Sequence, residues 1–532
     1  MRFLKICFGL TCVVLWSRQS FAGDTQWVEI RSPNFSLITD AGDQRGRDVA
    51  FHFEQMRSAF GNLMTKAEVN LPVPLQIVAF RSTSEITQVA PLFNGKPVEI
   101  AGRFQGGDDR TFIMLDVSVD NPWTVVFHEY AHQLMSGNFS GSADPWFWEG
   151  FAEYFSSIEV DDKEARVGKM PADTRRILKR SGMMRVADLF RVQQNSKTYN
   201  ESGKHRAMFY AESSLVVHYL YDNKLTPKLV DYFDATVNQK KTIEQAIQLA
   251  FGMTPKQFDE VLRNYLSSGR FKSYAIPTPS DIVAAQFAET PVSLADARAL
   301  LADIDAHSSD HQDRALVEFQ DVLKMDPDNA AALRGAGYVY LLRQDYEHAG
   351  EYFRRAAERD SKDSRVHYYH ALLMNRAGGL RNGAKSNEMK KELETAIALD
   401  PKLADAYSLL AYAQAVSGEP EKSLTTMKTA VRLSPGDEWY QFNLANIYMA
   451  NRKVDEAIAL LRSLASSGDP EVANHASAAL ARAEDFREHS RSFRPRIESR
   501  ASESVAAENE RVSLNYHERQ DGEGEVVSLG IQ

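Results

Sequence analysis

The chain has 532 residues, a formal net charge of −10 at pH 7 and two cysteines. Its length predicts two or three domains. The excess of negative charge argues against a nucleic-acid or anionic-membrane partner, because phosphate groups would repel it. Cys7 and Cys12 both lie near the N-terminus. A metal site in the rest of the chain must therefore use histidine and carboxylate ligands.

Residues 1–22 have the pattern of a secretory signal peptide. Basic residues precede an apolar run from Ile6 to Trp16, and a small-residue cleavage pattern ends at Ala22. The run is too short to span a bilayer comfortably, and no later stretch is apolar enough to do so. We therefore predict an exported protein, periplasmic or secreted, without a membrane span after signal removal. An uncleaved anchor is the alternative.

Residues 26–120 combine strands with one helix. Alternating apolar residues predict strands at 27–30, 35–39, 75–80 and 111–116. Helical spacing of apolar residues runs from Asp48 to Met64. This pattern predicts a small lobe that contains a β-sheet.

The stretch FHEYAHQL contains a candidate zinc site. His128 and His132 are four residues apart, so on a helix they lie on one face and can bind one Zn²⁺ together. Glu129 projects beside the metal's open position, where it can act as a general base toward a water molecule.

The following stretch WFWEGFAEYF supplies candidates for the third ligand. Glu149 and Glu153 are four residues apart on a second predicted helix. Either carboxylate could reach the metal. The other would then accept a hydrogen bond from a ligand imidazole. The alternative to a zinc site is a chance occurrence of the histidine pattern. The paired glutamates beside an aromatic stripe argue against chance.

HEYAH followed by WEGFAEYF resembles the gluzincin metallopeptidases, the group that contains thermolysin and the aminopeptidase-N-like enzymes. The resemblance is closest to the peptidase MA-like domains of bacteria, and it covers roughly residues 26–270. It implies an α+β catalytic domain with a small sheet lobe and a helical lobe, and one Zn²⁺ per chain. Glu149 corresponds to the ligand of the family's NEGFA motif, which leaves Glu153 as the partner of a ligand imidazole.

Two further segments bear on the same resemblance. Tyr210 falls on the position of the catalytic tyrosine of aminopeptidase-N-like enzymes, where a phenol donates a hydrogen bond to the oxyanion. The alternative is a buried tyrosine in an ordinary amphipathic helix. Residues 102–106 lack the glutamate with which those enzymes recognise a free amino group. The resemblance therefore favours an endopeptidase over an aminopeptidase.

A repeat follows residue 295. Predicted helix ends recur at intervals of 34, 40, 34 and 35 residues, at Asp326-Pro327, Asp360-Ser361, Asp400-Pro401, Ser434-Pro435 and Asp469-Pro470. Small residues recur in the same frame, as at Ala315, Ala349, Ser423 and Ala457. Residues 296–483 resemble a tetratricopeptide-repeat solenoid, an all-α array that presents a groove to a protein partner.

The remaining segments complete the predicted organisation. Prolines in residues 276–295 predict a linker, so residues 23–275 should fold as a separate metallopeptidase domain. Residues 484–532 are rich in arginine and glutamate and predict a disordered tail.

The sequence therefore predicts an exported zinc peptidase that acts on a peptide or protein and carries a repeat module for recruitment. One alternative is a zinc-binding scaffold, weak or inactive in catalysis, that acts through its repeats. The other is a zinc hydrolase of non-peptide amides.

Overall fold

The computed structural model describes residues 26–492 except 65–68, 70, 72–73, 94, 108–109, 121, 139–143, 194–195, 197–203, 379–382 and 468. The predicted signal peptide and residues 493–532 of the predicted tail lie outside the described residues. Within the described part of the chain, no helix is both long enough and apolar enough to cross a membrane.

A six-stranded sheet forms the centre of the N-terminal lobe. The strands of the lobe are β1 (Trp27–Arg31), β2 (Ser36–Thr39), β3 (Leu75–Phe80), β4 (Leu92–Phe93), β5 (Lys96–Pro97), β6 (Gly102–Gln105) and β7 (Thr111–Asp116). The four strands predicted from alternating apolar residues are confirmed. β3 is parallel to β2 and to β7, and β6 pairs with β7 in antiparallel fashion as an edge strand.

Helix α1 (Asp43–Leu63) packs on one face of this sheet and begins before the predicted Asp48. Gly46 lets it approach closely, because an added Cβ would lie 2.8 Å from the side chain of Ile30. Phe53 and Phe60 extend from α1 into a core shared with the following helices. The short α2 (Thr83–Ile86) follows β3.

A mainly helical lobe follows the sheet. Its helices are α3 (Trp123–Ser136), α4 (Pro145–Ser156), α5 (Ala172–Ser181), α6 (Val186–Phe190), α7 (Lys204–Asp222), α8 (Leu229–Phe233), α9 (Ile243–Phe251) and α10 (Pro255–Ser268). β8 (Glu159–Val160) and β9 (Glu164–Val167) form a hairpin between α4 and α5. Capping boxes begin α9 at Thr242 and α10 at Thr254, the last two helices of the lobe.

Residues 276–295, predicted as a linker, take part in two of the three sheets, the six-stranded one and a three-stranded one. β10 (Tyr274–Pro277) pairs with β9, and β11 (Ala288–Val292) pairs with β1 at the edge of the six-stranded sheet. The prediction relied on the prolines, which an edge strand tolerates because one side of it makes no ladder hydrogen bonds.

The first helix after the predicted linker, α11 (Leu294–Ala306), covers the second face of the sheet. Leu300 and Ile304 are buried in one cluster with Phe112 and Met114 of β7. Gln105 of β6 also donates a 2.8 Å hydrogen bond to the carbonyl oxygen of Ile304. The sheet lobe and the first repeat helix therefore share a hydrophobic core.

The C-terminal half is a series of antiparallel helix pairs. They are α12 (Gln312–Met325), α13 (Ala330–Leu342), α14 (Tyr346–Arg359), α15 (Ser364–Arg376), α16 (Gly383–Leu399), α17 (Ala404–Val416), α18 (Pro420–Leu433), α19 (Glu438–Ala450), α20 (Val454–Leu464) and α21 (Pro470–Ser492). The recurring small residues are fully buried between helices. Larger side chains would not fit between the helices. At Gly335, for example, an added Cβ would lie 2.1 Å from the ring of Phe319.

The final helix, α21, extends beyond the predicted boundary at residue 484. Ala479 and Ala483 are buried against the preceding helices, and Glu484 forms an ion pair of 2.5 Å with Arg462. Residues 484–492 are thus part of the array, because packing against α20 stabilises a segment whose own composition is mostly polar.

Candidate metal centre

Helix α3 presents His128 and His132 on one face. The opposite side of the helix is buried through Phe127, Tyr130 and Leu134. This packing fixes the rotation of α3 and leaves the two imidazoles partly exposed, with His128 at 12% and His132 at 23% of their side-chain surface.

Helix α4 brings Glu149 to the two histidines. Its side chain is almost completely buried, at 4% exposure. Gly150, the next residue, contacts α7 so closely that an added Cβ would lie 2.5 Å from the carbonyl oxygen of Ser213. This close approach of α4 to α7 fixes the position from which Glu149 reaches toward α3.

The three side chains form a compact triangle. Glu149 Oε2 lies 3.3 Å from His128 Nε2 and 3.4 Å from His132 Nε2, and the two Nε2 atoms are 3.2 Å apart. Zinc bonds of about 2.0–2.1 Å with tetrahedral angles separate neighbouring ligand atoms by about 3.3 Å. The donor set therefore has the chemistry and the spacing of three vertices of a zinc tetrahedron, which leaves the fourth position for water or substrate.

Glu153 lies on the outer side of the triangle. Its Oε1 atom is 3.5 Å from His128 Nδ1, the ring nitrogen that faces away from Glu149. Burial raises the pKa of Glu153 above its ordinary value, against the lowering effect of His128. A carboxylate in this position could orient the imidazole of a metal ligand, and that role of Glu153 stays a prediction.

The electrostatics of the triangle favour a charged histidine when no metal is bound. Burial lowers the pKa of His128, but the hydrogen bond to Glu149 and the charges of Glu153, Glu149 and Glu129 outweigh it and raise the pKa to about 9. Burial acts to raise the pKa of Glu149, yet His132 and His128 hold it well below its usual range. A cation is therefore favoured at this point, either a proton or a metal ion.

Glu129 is half-buried on α3 next to the first histidine. Its charge contributes to the raised pKa of His128, so it acts on the same site. Its role as a general base stays a prediction.

Aromatic rings flank the triangle on two sides. The ring of Tyr210, on α7, lies 6.1 Å from the ring of His128 between centroids. The ring of Trp148, which precedes Glu149, lies 6.2 Å from that of His132. Trp148 is half-buried beside the candidate ligands, a position that its place in an apolar stripe did not predict.

Sequence reasoning also missed Arg206, which contacts Tyr210 one turn earlier on α7. Its Nε and Nη2 atoms donate hydrogen bonds of 3.1 and 2.9 Å to the phenol oxygen. The spacing of four residues on a helix was an available signal, but arginine and tyrosine at that spacing are common on surfaces. His205 is exposed and His218 is fully buried, and neither belongs to the triangle.

Comparisons with known proteins address the C-terminal half. A tetratricopeptide-repeat family model matches residues 310–364. No curated protein matches the chain. Among solved structures, the chain is 20% identical to YrrB, described as a TPR protein with an unusual peptide-binding site, over 34% of this chain and 90% of YrrB, with a TM-score of 0.28.

Two other solved structures give similar values. PilF of Pseudomonas aeruginosa is 19% identical over 37% of this chain and 87% of its own, with a TM-score of 0.31. A thermophilic TPR protein of Thermus thermophilus is 19% identical over 35% of this chain and 98% of its own, also with a TM-score of 0.31. The family match and the observed helix pairs show that the C-terminal part of this chain carries tetratricopeptide repeats.

Proposed function

We propose that this protein is a zinc-dependent peptidase, most simply an endopeptidase, whose zinc is held by His128, His132 and Glu149. The observation that supports the proposal is the triangle of ligand atoms, whose sides of 3.2 to 3.4 Å match the spacing that tetrahedral zinc requires. Three protein ligands with an open fourth position are the arrangement of catalytic rather than structural zinc sites.

Zinc bound there would supply a Lewis acid that polarises the scissile carbonyl and acidifies water. Glu129 would accept the proton of the attacking water and pass it to the leaving amine. Tyr210 would donate its phenolic hydrogen to the oxyanion of the tetrahedral intermediate. Glu153 would keep the ring of His128 in its binding orientation.

The edge strand β6 supports a polypeptide substrate. It pairs with β7 on one side, and Gly102 lies so close to α3 that an added Cβ would meet Val126 at 2.7 Å. An extended substrate that adds to this edge would run beside the metal helix, with its main chain held by backbone hydrogen bonds. Residues 102–105 carry no acidic side chain for a free amino group, which favours cleavage within a chain.

The repeat array would recruit or position a protein partner or substrate. It contacts the metal-bearing lobe at more than one point, since Gly436 bonds to Ser136 and Lys240 lies 3.2 Å from the hydroxyl of Ser466. A polypeptide held by the array would therefore be held close to the candidate metal site, in the exported compartment that the N-terminal sequence predicts.

The test is incubation of the purified protein with an unbiased peptide library, with and without a chelator, followed by mass spectrometry. We expect zinc-dependent cleavage within peptides and loss of cleavage after chelation, restored by added Zn²⁺. A protein that binds zinc stoichiometrically but cleaves no peptide would instead support the scaffold, or a hydrolase of non-peptide amides.

A further inference from the structure

The phenol of Tyr210 is held by a guanidinium group. Arg206 stands one turn earlier on α7, and its Nε and Nη2 atoms lie 3.1 and 2.9 Å from the phenol oxygen. The guanidinium carbon is 5.3 Å from the centroid of the tyrosine ring. Two donors of one rigid planar group therefore meet a single oxygen atom, which restricts where that oxygen can move.

The pair lies beside the candidate metal centre. The ring of Tyr210 is 6.1 Å from that of His128, and the guanidinium of Arg206 is bonded to the hydroxyl end of the same ring. Glu129, Glu149 and Glu153 give this region several carboxylates. Arg206 brings a permanent positive charge to within 2.9 Å of the phenol oxygen that would donate to the oxyanion.

We propose that Arg206 is a positioning residue for Tyr210, which aims the phenolic hydrogen at the oxyanion during hydrolysis. The inference rests on the proposed function of the metal centre. The phenol oxygen has two lone pairs and one hydrogen. When its lone pairs accept bonds from the guanidinium, the hydrogen is directed to a third group.

Positioning of this kind matters because the benefit of an oxyanion donor depends on its placement. A donor must lie about 2.7–3.1 Å from the developing oxyanion. A displacement of about 1 Å can cost on the order of 100-fold in rate. Without Arg206, the tyrosine ring would still pack on α7, but its oxygen would lose the two hydrogen bonds from the guanidinium.

The simpler alternative is an ordinary intrahelical pair that only stabilises α7. Arg176 and Asp173 on α5 are such a pair, with side chains that are 58% and 73% exposed. Arg206 and Tyr210 differ because both are half-buried and the ring of Tyr210 lies next to the candidate ligand His128. Arg176→Met is therefore a matched control for Arg206→Met, since each variant removes one guanidinium from a helix.

A double-mutant cycle separates positioning of Tyr210 from simple stabilisation of α7. It compares kcat and KM of the single and double variants on one fluorogenic peptide chosen from the library. We expect Tyr210→Phe to lower kcat by about 10²–10³-fold and Arg206→Met by at least about tenfold, both with little change in KM. Arg206→Met should have no further effect in a Tyr210→Phe background. Arg206→Lys should recover only part of the loss, because an ammonium lacks the fork. An equal loss in both backgrounds would overturn the proposal.

A second readout does not depend on hydrolysis. 3-Fluorotyrosine placed at position 210 of the full chain reports the environment of the phenol by ¹⁹F NMR. We expect the resonance to shift in Arg206→Met and to stay unchanged in Arg176→Met. If the wild type cleaves no peptide, the proposed function fails and the role of Arg206 in hydrolysis fails with it, and the resonance then decides only whether the guanidinium holds the phenol. An unchanged resonance in Arg206→Met would show that the guanidinium does not position the ring.

Discussion

The backbone N–H of Gly436 donates a 3.0 Å hydrogen bond to the carbonyl oxygen of Ser136. Ser136 is the last residue of the helix that carries His128 and His132, one turn beyond the second of them. Gly436 lies in the repeat array, two residues before the start of α19. The array therefore contacts the C-terminal end of the candidate metal helix directly, through a backbone hydrogen bond between the two halves of the chain.

Truncation tests how much of the array belongs to the N-terminal core. A chain ended after Ala275 loses β11 from the sheet edge, and it exposes Phe112 and Met114 by removing Leu300 and Ile304. We expect it to be insoluble or to melt well below the full chain, because burial of each such side chain stabilises by about 1.5–3 kcal/mol. A chain ended after Met325 keeps these contacts and is the matched control. Equal melting temperatures for both truncated chains would contradict the shared core.

Metal content distinguishes a ligand from its orienting partner. Glu149→Ala and His132→Ala should each purify without stoichiometric zinc, because each removes a vertex of the triangle. Glu153→Ala should keep zinc with affinity or activity reduced about 10–100-fold, because it removes only the group behind His128. Elemental analysis of the three variants checks this. Zinc retained in Glu149→Ala but absent from Glu153→Ala would reverse the two assignments.

Glu129→Gln separates metal binding from chemistry. The amide has nearly the same shape as the carboxylate but cannot accept the proton of water. The variant should therefore bind one zinc per chain and lose almost all hydrolysis. Gln133→Glu, on the same helix, is a control for the effect of changing one charge on α3. Hydrolysis at the wild-type rate by Glu129→Gln would exclude this residue as the base.

The raised pKa of His128 predicts how the stability of the metal-free protein depends on pH. Its folded-state pKa is about 9, above the unfolded value of about 6.5. Its contribution to stability is thus complete below pH 6.5 and is lost as the pH rises through about 9. The melting temperature of the metal-free protein should therefore fall as the pH rises from about 6.5 to about 9. This fall should be smaller in His128→Gln, which lacks the titrating imidazole.

The affinity for zinc should increase with pH, opposite to the stability of the metal-free protein, because the metal must displace the proton of His128. We expect release of about one proton per zinc near pH 7.5 and tighter binding as the pH rises toward 9. Calorimetry in buffers with different ionisation enthalpies measures the proton count. Binding without proton release would mean that His128 is already neutral in the metal-free protein.

Gly150→Ala tests whether the contact between α4 and α7 positions Glu149. The new methyl group would lie 2.5 Å from the backbone oxygen of Ser213, which cannot move aside without shifting α7. We expect destabilisation of about 1–3 kcal/mol from overpacking and weaker zinc binding. Gly350→Ala is the control, because its methyl group meets only the end of the Leu373 side chain at 3.4 Å. Equal zinc affinity in both variants would show that this contact does not set the site.

Several features could be predicted from the sequence because they depend on neighbouring residues. Short apolar runs were sufficient for β3 and β7, and the recurring alanines were sufficient for the repeat, both of which are confirmed. The spacing of His128 and His132 follows from the geometry of a single helix. Their role as zinc ligands, with Glu129 as base, stays a prediction.

Other features were decided by contacts between distant parts of the chain. Glu149 and Glu153 lie on one helical face, and only the packing of α4 against α3 and α7 places Glu149 at the imidazole Nε2 atoms and Glu153 at Nδ1. The pairing of Trp27 with Val292 converts a proline-containing segment into an edge strand. Local patterns contain no information about such partners, because the stabilising atoms come from elements far apart in sequence. The local pattern thus determined which side chains could bind a metal, and the tertiary structure decided which of them meet.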